Sequence, residues 1–506
     1  LLNIYQRHIK LIRILESRFS QTSLIVIGDA ITFGANFLSI MVLARLLPVD
    51  TMGTYRQLVY LGGFFISLFE FGVSSSIYRF WNILEITEKS TYSKMIFGFL
   101  AFFGTIAALL LFFLSTKLSL WYQNPALEKF IKIIAFYPLA NMVIMMVRPI
   151  MISDGHSLFA TGIETFFAIL SFLALSIPVL LQYSFEDSLR IWIFTLLFRL
   201  LLVPVLTRKY LLRKSKFIDI QLYRKVLEYV LPIQAARIPG IIMSYFDKIY
   251  MSLLLNPYQF AIYSLGAREI PFIGTIGYSV SSALIPKLVR DNVENNIDPL
   301  LSKWKSACRK TALYTYLPLS FCIIFANWVI EFFYSNTYIE SASIFQIFAG
   351  ITFFRVIEYA SLAKSIGESK LILKVALVSL AVLVIFAYPI SRSFGAVGMA
   401  LLLFISTFVS VIYFLTWYKR YFQIPLQKFY PLNELLRYLA YSFISTGLVK
   451  FIINDRVYVD GSDLINLFLQ ISILFACCAA IYFGFVFIDN KICHRLSRKI
   501  DINNYE

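Results

Sequence analysis

The sequence predicts an all-α polytopic membrane protein with about fourteen transmembrane helices. Hydrophobic residues make up 59% of its 506 positions, where soluble domains hold about 45–50%, and the mean hydropathy is +0.74. Charged residues make up only 15%, against roughly 25% in soluble chains. Apolar runs of about 20 residues recur from one end to the other, each long enough to cross a bilayer as a helix.

The chain opens on LLNIYQRHIKLIRILESRF, in which apolar and basic residues alternate at helical spacing. It has neither a compact apolar centre nor a small-residue cleavage site, so residues 1–20 are expected to form a basic amphipathic helix on the membrane surface. The expected spans then run 21–46, 54–78, 93–116, 129–151, 158–182 and 188–207, a first group of six. A charged linker, 208–225, precedes a second group at 226–253, 257–285, 308–333, 340–363, 371–391 and 395–418. Two more spans, 434–453 and 464–488, and a basic tail occupy 419–506. The gaps are too short for an extramembrane domain, though 208–225 and 286–307 have room for short interfacial helices.

Basic residues set the expected orientation. With the N-terminus in the cytoplasm, cytoplasmic segments carry 32 Lys and Arg and outer connections carry 8. Both termini are then cytoplasmic. The formal net charge of +17 is mostly this topological signal, and its spread over many loops argues against a nucleic-acid partner. Cys322, Cys477 and Cys478 lie in apolar runs, Cys308 and Cys493 beside basic segments, and the three histidines are scattered. No pair has metal-ligand spacing, so no metal or other cofactor is expected. No G-x-x-x-x-G-K-[ST] occurs, which excludes a P-loop ATPase.

One pattern repeats. LLPVDTMGTY (46–55) returns as LLNPYQFAIY (254–263), with Tyr55 and Tyr263 separated by 208 positions. Val73-Ser74-Ser75 returns as Val280-Ser281-Ser282, and Arg79 and Lys287 close the two hairpins. Both hairpins leave and re-enter the same side. Parallel repeats about an axis along the membrane normal are a transporter architecture with substrate between the halves.

On ARLLPVDTMGTYRQL, FEFGVSSSIYRF and LPIQAARIPGIIMSYFDKIYMSLLLNPYQFAIYSLGAREIP, the chain resembles the Wzx-type polysaccharide flippases of the multidrug/oligosaccharidyl-lipid/polysaccharide (MOP) exporter superfamily. The resemblance covers essentially the whole chain. It implies two six-helix bundles in a V around a central cavity, with two C-terminal helices outside. It implies an oligosaccharide on undecaprenyl diphosphate as substrate, flipped to the outer leaflet of the bacterial inner membrane for O-antigen, capsule or exopolysaccharide synthesis. Polysaccharide polymerase machinery is the implied protein partner, and H+ or Na+ are candidate coupling ions. Alternatives are a lipid II flippase or a multidrug/cation exporter of the same superfamily, or a membrane polymerase, ligase or acyltransferase. An enzyme of that last kind typically presents a large outer loop or an embedded His/Asp site, and neither pattern is visible.

A charge at mid-bilayer costs about 2.5–3.5 kcal/mol even on a lenient scale. Of the 46 Lys and Arg, the 32 and 8 counted at the two membrane sides leave six deeper within the expected spans: Arg56, Arg199, Arg237, Lys248, Arg268 and Arg355. Arg237 and Arg268 each fall about eleven residues into their spans, near the midplane at 1.5 Å per residue. Arg237 shares its helix with Pro232, Pro239 and Gly240, which favour a kink. A diphosphate suits the planar fork of Arg better than the point charge of Lys. Arg237 and Arg268 are therefore the leading substrate contacts, followed by Arg56, Lys248 and Arg355. Structural ion pairs are the competing reading, best suited to Arg355 with Glu358 and to Arg268 with Glu269; Arg199 is expected to be structural. Among the acids, Asp29 aligns with Arg237 at the repeat offset. The two are expected to pair in one conformation and separate on substrate arrival. Glu70 and Glu164 are further coupling or gating candidates.

Overall fold

Prolines and glycines divide the apolar runs into helices, and in the computed structural model several helix starts follow a local signal. The structure describes residues 21–268, 270, 273–355, 357–453 and 464–503; residues 1–20, Glu269 and the 504–506 end of the tail lie outside them. These residues form two compact units, Leu1–Ala261 and Ile262–Glu506, and no strand occurs among them.

In the first unit, α1 (Gln21–Leu46) is followed after Pro48 by α2 (Val49–Phe69), with Asp50 in its first turn, where an anion meets the positive end of the helix dipole. α3 is Val73–Phe80 and α4 is Ile86–Trp121; α4 opens on a capping box between Glu85 and Glu88. Pro125 starts α5 (Pro125–Ile133), and α6 (Tyr137–Ile144) and α7 (Val147–Ser153) continue that span in pieces. α8 is Ser157–Leu180. α9 (Phe185–Leu206) begins at a Ser184 cap that accepts from the Asp187 N–H at 3.2 Å. After the one-turn α10 (Arg208–Leu211), Asp219 caps α11 (Ile220–Leu254). α11 packs with α2 and α3 inside this first unit. The next helix starts at Pro257 (α12, Pro257–Gly266), 208 residues after Val49, so the repeat read in the sequence marks equivalent helix starts.

In the second unit, α13 (Ile273–Val293) leads to α14 (Ile297–Ile324), which bends by 87° into α15 (Ala326–Phe333). α16 is Ser341–Phe354 and α17 is Ala360–Ser365. The 54-residue α18 (Ser369–Phe422) is two helices joined at Gly395, whose φ of 57° and ψ of −140° are non-helical. Two of the expected spans are thus joined there. After the short α19 (Leu426–Phe429), α20 (Leu432–Ile453) and α21 (Leu464–Asn503) are tied by Arg437, which donates to Asp489 at 2.9 and 3.1 Å. Around the buried Trp304 lie the rings of Tyr359, Tyr418, Phe429 and Tyr430. The Tyr359 and Tyr430 hydroxyls are 2.8 Å apart.

Among the described residues, eight helices are long and apolar enough to cross a membrane, or up to eleven if each bent pair is one span. The chain is a multi-pass membrane protein. Breaks inside spans lower the count below the fourteen expected, because apolar composition continues across a break that backbone geometry does not.

Among the glycines of the described residues, the tightest approach is at Gly53. A Cβ there would lie 1.8 Å from the Pro257 carbonyl oxygen, whereas one at Gly34 meets nothing within 4 Å. Gly53→Ala should therefore destabilise by about 1–3 kcal/mol. Gly34→Ala should be neutral or stabilising by about 0.5–1 kcal/mol, since Gly in a helix interior is unfavourable. Thermal unfolding of the two purified variants checks the opposite signs.

Candidate functional site

The second helix of the chain breaks where FEFG stands. Glu70 ends α2, Phe71 and Gly72 take positive φ values of 55° and 68°, and α3 leaves at 43°. Gly72 tolerates that backbone, but for Phe71 it costs of order 1–3 kcal/mol. Packing holds it: the Phe71 ring sits 4.6 Å from Phe103 and 5.6 Å from Phe99. A broken helix end also exposes carbonyls that hydrocarbon cannot satisfy. Gln234, only 3% exposed, answers this by donating Nε2 to the carbonyls of Ser67 at 3.2 Å and Leu68 at 2.9 Å.

One turn further along α11, the Arg237 guanidinium reaches the same break. Its Nη2 lies 3.3 Å from Glu70 Oε2, and its Nη1 would be 3.5 Å from a Cβ at Gly72. Arg237 is the central residue of α11, which runs from Ile220 to Leu254. Glu70 is buried and Arg237 partly exposed. A long, single-contact pair with an accessible cation is an exchangeable arrangement: an anion reaching Arg237 replaces a weak partner. Gln234 Oε1, on the far side of that amide, is buried with no partner among the described residues. Tyr245 adds a hydroxyl 3.3 Å from Ser67 Oγ.

The other acids have other partners. Asp29 accepts from Arg148 Nη2 at 2.7 and 2.9 Å, so the expected Asp29–Arg237 pair is not the one formed in this structure. Arg148, near the end of the expected span 129–151, is inside α7. Glu164 accepts from Arg199 Nη2 at 2.5 Å, with the guanidinium 5.2 Å from the Phe167 ring centre. That is the geometry of a structural pair.

Each of the remaining cations has local contacts of its own. Arg56 is buried, donates to Tyr60 and lies over its ring at 4.7 Å. Lys248 is 2.8 Å from its neighbour Asp247. Arg268 sits in a non-helical stretch between α12 and α13, where its N–H donates to Gly266 O at 2.8 Å; span eight is thus interrupted at this residue. Its proposed pairing with Glu269 lies outside the described residues. Arg355 and Glu358 do not share a helix. Arg355 caps the end of α16, while Glu358 pairs with Lys364 at 2.5 Å and donates its N–H to Ser281 Oγ at 3.0 Å. No cluster of three or more His, Cys, Asp or Glu able to hold a metal occurs among the described residues.

Ranking charges alone missed Gln234 and Arg148. The Gln234/Arg237 spacing of three, which places both on one helix face, was the available signal for Gln234. Nothing local signals the partner of Asp29, since the pair is 119 residues apart.

Comparison with known proteins follows this geometry. The family model described as "Polysaccharide biosynthesis protein" matches residues 20–291. A comparison with curated proteins gives no match. Among solved structures, the chain is similar to the lipid II flippase MurJ in an inward closed conformation. Identity is 14%, with 93% of this chain and 99% of that chain covered and a TM-score of 0.72. It is also similar to a multidrug resistance MATE family transporter of the MOP superfamily in an inward-facing conformation, at 16% identity, 81% and 96% coverage and TM-score 0.57. The MATE multidrug transporter DinF-BH matches at 13% identity, 79% and 94% coverage and TM-score 0.55. At these identities the likeness is one of fold.

The Asp29–Arg148 pair is part-exposed, between the surface limit of about 0–1 kcal/mol and the buried limit of about 3–5 kcal/mol. Asp29→Asn and Arg148→Gln should each cost about 1–2 kcal/mol, and the double variant no more than the worse single one. Additive losses in thermal unfolding would show that the two residues act separately.

Proposed function

Because the chain belongs to the polysaccharide biosynthesis protein family, we propose that it is a flippase for undecaprenyl-diphosphate-linked oligosaccharide repeat units. It moves them from the cytoplasmic to the outer leaflet of a bacterial inner membrane by alternating access, with both termini cytoplasmic. The observation that carries this reading is the Arg237 guanidinium, central in α11 and loosely held by Glu70 over the α2–α3 break. An incoming diphosphate offers Arg237 a bidentate partner with more charge than one carboxylate. Glu70 is then released, and binding is coupled to the state of the helix break. Arg268 is assigned as the second diphosphate contact, with Arg56, Lys248 and Arg355 as more peripheral ones. H+ or Na+ remain the coupling candidates, with Glu70 the carboxylate nearest the substrate's anion. The membrane potential favours export of an anionic head by about 2.3 kcal/mol per charge per 100 mV.

Similarity to the lipid II flippase fold at a TM-score of 0.72 supports a second reading, in which the same diphosphate carries a peptidoglycan precursor. A cation exporter is less consistent with an accessible guanidinium at mid-helix.

Expressed in a strain lacking its own repeat-unit flippase, the wild type should restore surface polysaccharide. Arg237→Ala and Arg268→Ala should fail at normal protein abundance, and Arg237→Lys should restore it only in part because the fork is lost. Rescue of a lipid II flippase deletion instead would favour the second reading. Full activity of both Ala variants would show that these arginines are structural.

A further inference from the structure

The linker between α9 and α11 is tied to α4 through its backbone and Ser215 while most of its long side chains are exposed. Ser90 Oγ donates to the Tyr210 carbonyl at 2.6 Å and lies 2.8 Å from Ser215 Oγ. Lys94 Nζ donates to the Arg213 carbonyl at 2.6 Å and to Ser215 Oγ at 2.9 Å. On the same anchor, the Tyr210 hydroxyl and Trp81 Nε1 both donate to Asp154, at 2.5 and 2.8 Å. Burial first, and then Asp154, push the Tyr210 phenol well above its usual range, so this phenol keeps its proton at any physiological pH.

What the anchored segment displays is unusual for a loop facing only water. Leu212, Phe217, Ile218 and Ile220 are 72, 62, 59 and 79% exposed. Interleaved with them are Arg208, Lys209, Arg213, Lys214 and Lys216, all exposed. No acidic side chain offsets them before Asp219, which is engaged in capping α11. Large apolar side chains and cations in one short segment match a bilayer interface, where the first enter the acyl boundary and the second meet phosphate. From this charge and apolar complementarity, we infer that segment 212–220 docks on the headgroups of anionic phospholipids in the surrounding leaflet, so that such a lipid is a specific ligand of the protein. Because Ser90 and Lys94 belong to α4, lipid bound at the linker also steadies α4 and the start of α11.

The test uses the full chain in neutral detergent, with the unfolding midpoint read after adding phosphatidylglycerol, phosphatidylcholine or sodium phosphate. Phosphatidylglycerol should raise the wild-type midpoint by several degrees more than phosphatidylcholine. That excess should shrink as salt shortens the range of the charges. Arg213→Gln/Lys214→Gln/Lys216→Gln should lose at least half of it, and Arg290→Gln/Lys370→Gln/Lys374→Gln, with equal charge removed elsewhere, should keep it. If the linker triple variant does not fold, Lys214→Gln/Lys216→Gln replaces it, since these two side chains make no hydrogen bond or ion pair among the described residues. An undiminished excess in the linker variant, an equal loss in the control, or the same shift with sodium phosphate would each overturn the inference.

Discussion

Hydrocarbon offers no partner to a peptide group, so every interruption of a membrane helix must be satisfied by the protein itself. The architecture of this chain follows from how it meets that constraint. At the α2–α3 break, Gln234 takes two carbonyls. At the 87° bend after α14, Gln346 Nε2 and Lys450 Nζ reach the carbonyls of Ile323 and Ile324, at 2.8 and 3.3 Å. They line a cavity of about 130 Å³ there. Between α16 and α17, Ser281 Oγ accepts from Glu358 N–H, and the Tyr418 hydroxyl bridges the Ala363 N–H and the Tyr359 carbonyl. Each of these three breaks is bound by a side chain from another helix, so they are also where helices are fastened together.

Charge is handled by a related rule. Asp29, Glu70, Glu164, Asp247 and Glu358 each have a basic side chain within 3.3 Å. The pairs differ in quality. Asp29–Arg148 and Glu164–Arg199 are short, and Glu70–Arg237 is the longest of these five. The weakest pair also lies at the strained backbone of Phe71, where structure has been given up for something other than stability. That coincidence of long pair, strain and accessible guanidinium sets this break apart from the other two.

The all-helical membrane class was legible from composition; the helix start at Pro257 fell where it was expected, whereas those after Pro48 and at Pro125 came earlier than the expected 54 and 129. The repeat fixed equivalent starts but not equivalent breaks: α2 breaks at 70–72, whereas α12 ends at Gly266. A run such as YLGGFFISLFEFGVSSSIYRF is apolar throughout, so its periodicity shows where a helix is favourable and not where packing will stop one. Arg237 was singled out correctly as a mid-helix cation, from spacing alone. Repeat symmetry suggested a pairing with Asp29 in one conformation; in this structure Arg237 meets Glu70 instead, because pairing depends on which helices pack rather than on which positions are equivalent.

Synthesis adds a matter of timing. Glu70 and Arg237 are 167 residues apart, and at about 5–20 residues per second the second is made roughly 8–33 s after the first. During that interval the α2–α3 break has neither the guanidinium nor Gln234. A carboxylate and two bare carbonyls are poor cargo for hydrocarbon, so the second helix gains its partners at this break only once α11 has been made. Maturation of the first unit thus waits on a helix made well after its first six spans.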